Sequence, residues 1–147
     1  MEKKPKNIFV AGAISSEKIA TSIQNHSTKL SIGGHSIFLG QVRADTIDNQ
    51  EVQSIHYSAY EPMALEVAFR IREDIFQKYP LVCMHIYHSL GEVKAGEISL
   101  FVFTSAIHRQ PAIEACTEVV ERIKKELPVW GKEILTTGNV IWKENKI

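Results

Sequence analysis

TSAIHRQPAIEACTEVVERIKKELPVWGKE, residues 104–133, carries the marks of one sharply bounded helix and of the turn that follows it. Pro111 suits a first helical position, where its fixed φ and missing N–H cost nothing, and Pro128 stops the helix at the far end. Between them Ile113, Cys116, Val119, Val120, Ile123 and Leu127 recur at spacings of three and four, an apolar stripe that has to face a core. At ~100° per residue, Lys125 points nearly opposite that stripe, whereas Lys124 lies at its edge, ~90° from its centre. Lys125 is therefore expected as a solvated charge. Lys124 can lay its methylenes along buried surface and hold its ammonium at the rim of a pocket. His108 and Arg109 stand just before the helix, where free N–H groups and the helix dipole favour an anion. By residue type alone the pair fits a solvated loop; its position makes a phosphate-bearing small molecule an equal reading. Trp130, Gly131, Lys132 and Glu133 form the closing turn, another cation beside an aromatic platform.

Outward from this helix the chain reads as alternating hairpins and helices. Ile8 to Ala11 fits a short strand, and Ser15 or Ser16 can cap a short helix to about Gln24. Gly33–Gly34 read as a turn opening a strand from His35 to Val42, because a phosphate loop would need a helix directly after the glycines. Arg43 ends that strand beside the polar segment ADTIDNQE (44–51), expected as a loop. Glu51 to Tyr60 is expected as a strand paired with 35–42 in a hairpin, and Glu61-Pro62 then starts a helix through Tyr79. Leu65, Ala68, Ile71, Ile75 and Tyr79 form its apolar face, with Arg70, Glu73, Asp74 and Lys78 outside. Leu81 to Leu90 and Glu97 to Ser105, joined by GEVKAG, read as an antiparallel hairpin, and a last strand falls near Val140–Trp142. The sum is an α+β fold, a single domain over residues 1–147 with a mainly antiparallel sheet of hairpins and two long amphipathic helices. Residues 1–30 carry the least information.

A chain of 147 residues can bury roughly two thirds of its unfolded surface without staples. Its 17 Lys+Arg cancel its 17 Asp+Glu, so no overall field points to nucleic acid or an anionic membrane, and an anion site has to be a local cluster. Cys83 and Cys116 belong to no CxxC pair and lie among apolar neighbours, as buried reduced thiols of a cytoplasmic protein do. Such surroundings disfavour a thiol nucleophile, so the chain has no evident sulfur or acyl carrier of its own. The N-terminus lacks an apolar leader segment, and no run approaches 18 apolar residues. His85 and His88, three apart on a strand, point to opposite faces, and no HExxH or Cys/His spacing motif is present; no metal is expected. Lys124 and Lys132 together could lower one another's pKa, a route to a lysine that moves protons near neutral pH.

FLGQVR (38–43), HYSAYEPMA (56–64), LGEVKAGE (90–97), SAIHRQPAIEA (105–115) and PVWGKE (128–133) together resemble the large, catalytic subunit of molybdopterin synthase, from about Gly34 to the end of the chain. The resemblance implies a hammerhead-like α+β fold and a sulfurtransferase that uses no cofactor. Its substrate would be cyclic pyranopterin monophosphate, which receives two sulfurs to become the dithiolene of molybdopterin. Its partner would be a small ubiquitin-like sulfur carrier whose C-terminal Gly-Gly ends in a thiocarboxylate, bound to a homodimer at the centre of a heterotetramer. The family's pattern matches Arg43, His108 and Arg109 to substrate binding and Lys124 to catalysis; Lys132 is expected to join Lys124 in catalysis, and Gly131 and Glu133 to join the substrate-binding residues. Two departures stand out. Gly131 replaces a lysine common in the family, with Lys132 one place later expected to fill that role through the glycine's freedom. Ile107 lengthens the Ser-Ala-His-Arg segment, as a bulge would. Lys143 and Lys146 are the cations of the tail. The competing reading is a non-enzymatic subunit whose basic groove captures an acidic C-terminal peptide tail of a partner.

Overall fold

The computed structural model describes residues 6–143. Its elements run β1 (Phe9–Ala11), α1 (Ser16–Asn25), β2 (Gly34–Gln41), β3 (Thr46–Ile47), β4 (Gln50–Ala59), α2 (Glu61–Lys78), β5 (Leu81–Lys94), β6 (Ile98–Ala106), α3 (Arg109–Glu126), β7 (Val129–Leu135) and β8 (Val140–Trp142). The expected α+β architecture is present, and the sheet order is β2-β6-β5-β4-β7-β8.

The 14-residue β5 organises the whole sheet. Its first part pairs antiparallel with β6, from Leu81↔Ala106 to His88↔Leu100. Its last four residues pair with β4, from Gly91↔Tyr57 to Lys94↔Ser54. Gly91 stands at the handover with φ +85°, a conformation that glycine adopts at little cost. Alongside, β1 pairs in parallel with Phe9↔His88 and Ala11↔Leu90. The hairpin expected from 81–90 and 97–105 therefore forms, but its first strand continues through GEVK to a turn at Gly96, where φ is +91°.

The other expected hairpin does not form. β2 pairs with β6, Gly34↔Ala106 through Gln41↔Ile98, and β4 pairs instead with β5 and β7. The reason lies at the glycine pair, which is a close approach rather than a turn. A Cβ on Gly33 would lie 2.1 Å from the Ile107 carbonyl oxygen, and one on Gly34 would lie 3.2 Å from Arg109 Cα. Two residues without side chains let β2 start hard against the segment that leads into α3. The polar stretch 44–51 is likewise no open loop. Thr46↔Glu51 and Ile47↔Gln50 pair across Asp48 and Asn49, whose φ values of 51° and 64° are those of a two-residue primed hairpin turn.

One face of the sheet, through Met84, Ile86, Leu100 and Val102, packs against Ala64, Ala68, Ile71 and Ile75 of α2 and Ala115, Cys116, Val119 and Ile123 of α3. Burying a residue such as Ile71 completely stabilises the fold by roughly 1.5–3 kcal/mol. The reverse face holds Phe101 and Phe103 with Ile14, and Ile19 of α1 packs onto them. α2 matches its predicted span to within a residue, with Leu65 and Tyr79 half-buried at the edge of the core.

α3 corrects its prediction in two respects. It begins at Arg109, so Pro111 is the third helical residue, where its missing N–H is still one of the unpaired four. Ile113 is 51% exposed, and Ala112 and Ala115 take its place in the buried stripe. These small residues let the helix lie close to the sheet, and Thr104 Oγ1 donates to the Ala112 carbonyl at 2.6 Å.

Candidate active site

A cavity of ≈ 240 Å³ opens at the C-terminal end of α3. Tyr57 of β4 and His88 of β5 border it from the sheet, and Lys124 and Lys125 from the last turn of α3. Trp130, Gly131 and Lys143 complete its rim from β7 and the segment after β8. The local sequence explains the arrangement. Leu127 and Pro128 end the helix, and β7 turns back beside β4 in the register Tyr57↔Gly131. Lysines in the final turn also complement the negative end of the helix dipole.

Three ionisable groups of the cavity, Lys124, His88 and Tyr57, are tuned by their settings. Burial in the cavity wall lowers the pKa of Lys124, and the positive charges of Lys143 and Arg43 lower it further. Lys124 thus gives up its proton more readily than an ordinary lysine, although much of the residue is open to solvent. Burial takes His88 down to about 4, partly countered by the hydrogen bond of Nδ1 to the Ser89 carbonyl at 2.8 Å. The ring is neutral at physiological pH, and donation from Nδ1–H leaves Nε2 as an acceptor. It meets the Tyr57 ring edge to face at 5.2 Å. Burial raises the Tyr57 pKa; its hydroxyl donates to Ser99 Oγ at 3.2 Å, and the negative charge of Glu133 adds to the rise. Glu133, 8% exposed, shares the strand face of Gly131, and its Oε2 has no hydrogen-bond partner among the described residues.

The residues expected at the site fall into three groups. Lys124 and Gly131 border the cavity, Glu133 lies two residues on from Gly131 on the same face, and Arg43 lies close enough to act on Lys124 while its side chain, 68% exposed, pairs with Asp45 at 3.3 Å. Lys132 is not brought in. On a strand the residue after Gly131 faces the other way, and its ammonium lies 5.1 Å from the Trp142 ring centre. His108 and Arg109 sit at the opposite end of α3, roughly 22 Å from Lys124 at ~1.5 Å per residue, so within one chain they do not share the cavity. His108 caps the helix without a side-chain capping bond.

Tyr57, His88 and Lys143 are site residues that sequence reasoning did not assign. Lys143 reaches the rim through a backbone bond to β7. The Lys143 N–H donates to the Gly131 carbonyl at 2.8 Å, and a Cβ built on Gly131 would stand 3.6 Å from Lys143 Cβ and 3.5 Å from Tyr57 Cε1. The tightest contact of that Cβ would be Ile55 Cγ2 at 3.0 Å, so the missing side chain serves the close packing of β7 on β4. Lys125 borders the cavity as well as being exposed, a wider reach than the helical wheel gave it.

An α+β scaffold that gathers lysines around an aromatic-walled cleft, with a neutral histidine and a tyrosine at its base, is an enzyme-like site for an anionic ligand. The model of the MoaE protein family matches residues 11–126, and the chain belongs to that family. It is 36% identical over 142 residues to the molybdopterin synthase catalytic subunit of Pyrococcus abyssi, covering 97% of this chain and 88% of that one. With the molybdopterin synthase catalytic subunit of Rattus norvegicus it shares 32% identity over 146 residues, covering 98% of this chain and 70% of the relative. Among solved structures, molybdopterin synthase from Staphylococcus aureus superposes with a TM-score of 0.81 at 27% identity, covering 99% of each chain. A complex of subunits 1 and 2 of molybdopterin-converting factor from Helicobacter pylori shares the fold, with a TM-score of 0.78 at 21% identity over 94% of this chain and 90% of that one. The family match starts at residue 11, well before Gly34, so residues 11–33 belong to the matched region too. Among the described residues, no helix is long and apolar enough to cross a membrane.

Proposed function

We propose that this cleft is the active site of a molybdopterin synthase catalytic subunit, where sulfur passes from the C-terminal thiocarboxylate of a small ubiquitin-like partner to cyclic pyranopterin monophosphate. The observation that carries the reading is the lowered pKa of Lys124 in a cleft it shares with Lys143 and near Arg43. Both reactants are anions. Clustered cations offset the repulsion between them and hold the attacking sulfur beside the pterin side chain. The thiocarboxylate sulfur forms a C–S bond to a side-chain carbon as the C–O bond at that carbon breaks, and Lys124 delivers the proton that the departing oxygen takes up. Water then cleaves the acyl C–S bond, leaving sulfur on the pterin and a carboxylate on the carrier. No step calls for a cofactor or a thiol of this chain, in keeping with the buried settings of Cys83 and Cys116.

Lys143, rather than Lys132, supplies the second cation. Glu133 offers the pterin ring an acceptor oxygen, and Gly131 leaves the space in which the carrier's Gly-Gly tail approaches. His108 and Arg109 bind phosphate at the positive end of α3 of a second copy, which makes the working unit a homodimer. A cytoplasmic setting suits free thiols and a soluble carrier.

The test is reconstitution of the purified chain with thiocarboxylated small subunit and the cyclic substrate. Dithiolene product is expected from wild type. Lys124→Ala is expected to keep carrier binding and lose product; turnover close to wild type in that variant overturns the reading. Carrier binding without product in the wild-type protein would favour a non-enzymatic tail-binding subunit.

A further inference from the structure

Apart from the cleft, we propose that His26, Cys83 and His85 form a binding site for a borderline divalent cation of the zinc type, on the reverse face of the sheet. Their donor atoms all lie within 4.8 Å of one another, and the two Nε2 atoms are 3.0 Å apart. Cys83 and His85 sit two apart on β5 and therefore share a face, whereas His88 points the other way into the cleft. His26 arrives from the C-cap of α1, and its ring lies edge to face against Phe103 at 4.8 Å.

A second observation points the same way. His26 Nδ1 is 2.6 Å from the Ser22 carbonyl, which can only accept, so Nδ1 carries a hydrogen and Nε2 is the nitrogen turned toward His85. A backbone carbonyl that fixes the tautomer and aim of a histidine is the usual outer support of a metal-binding imidazole. Two nitrogens and a sulfur, with His26 and Cys83 only 7% and 6% exposed, suit zinc or cobalt(II) rather than magnesium or calcium. Tetrahedral bonds of ~2.0–2.3 Å put donors roughly 3.3–3.8 Å apart, so the two nitrogens, 3.0 Å apart, part by about 0.3 Å and the wider separations close by up to about 1 Å.

Lys29 Nζ donates to Cys83 Sγ at 2.7 Å, and the charges of Lys6 and Arg72 also reach His85. These cations oppose a dication. Loading therefore requires that the His26–His85 hydrogen bond break with the His85 proton moving to Nδ1, that Cys83 release its proton, that the thiolate bond the metal, and that Lys29 swing to solvent; water completes the fourth position. The gain is structural. No residue of α1 is buried, and a metal bridge from His26 to β5 ties that helix to the sheet.

The purified full chain, stripped with chelator, is titrated with Co²⁺. One equivalent per chain is expected, with a thiolate-to-cobalt charge-transfer band, displacement of Co²⁺ by Zn²⁺ and a rise in melting temperature. Cys83→Ser is expected to lose the band and His26→Gln to lose tight binding, while Cys116→Ser keeps both. Absence of a stoichiometric band in wild type, or its survival in Cys83→Ser, overturns the proposal. Dithiolene synthesis plays no part in the readout, so this site and the cleft stand or fall separately.

Discussion

Lys124 and Lys125 are neighbours in one helical turn, and the cavity wall, with Lys143 and Arg43, depresses the pKa of Lys124. Lys124→Ala is expected to cut single-turnover dithiolene formation by at least ~100-fold, as removal of a positioned proton-transfer group does, while Lys125→Ala costs only a few-fold. The same comparison separates the two candidate second cations. Lys143→Ala is expected to slow the reaction by ~10-fold or more and to raise the Lys124 pKa, seen as a shift of the pH–rate profile to higher pH. Lys132→Ala, which removes a charge from over Trp142, is expected to leave rate and profile near wild type. His88 gives a prediction about stability. Its folded pKa of about 4 lies below the ordinary 6.5, so the unfolded chain binds more protons between those values, and stability falls as pH drops through that window. The loss from this residue reaches about 2 kcal/mol at pH 5. Urea denaturation at pH 7.5 and pH 5 checks it: the difference shrinks in His88→Gln.

At the scale of elements, helical periodicity made α2 and the body of α3 legible, since one face of each is buried and the apolar spacing records it. Placing Lys124 at a pocket rim needed nothing more than that stripe. Ile113 was misassigned because the wheel weighs an isoleucine above an alanine, whereas close helix–sheet packing selects Ala112 and Ala115 for their size. Strand partners were not legible. Alternation marks a strand but does not name its neighbour, and β2 joins β6 across some sixty residues of chain because Gly33 and Gly34 permit contact with 106–109. Gly33→Ala drives a methyl into the Ile107 carbonyl and is expected to cost about 1–3 kcal/mol, measured as a lower urea midpoint with unchanged slope. The cluster of His26, Cys83 and His85 escaped for the same reason: spacing motifs find ligands on one element, and these lie on two.

For the whole molecule, the decisive fact is that His108 and Arg109 lie at one end of α3 and Lys124 at the other. If a second copy completes each site, Lys124→Ala and Arg109→Ala are each inactive alone and complement one another when mixed and allowed to exchange. Half the dimers are then mixed and carry one intact site of two, so roughly a quarter of wild-type turnover returns. No recovery above either parent would place both residues in the same chain's site and remove the homodimer from the mechanism. The sequence held the residue types for such a site but not their distance, which a fold alone fixes.

On the proposed reading, the cationic role that Lys132 does not fill passes to Lys143, just beyond the last strand of the sheet. Proteolytic trimming back to Trp142 would leave the sheet standing and disarm the chemistry, so intact-mass spectrometry of any inactive preparation is a necessary control. A purification tag is best fused to the amino terminus.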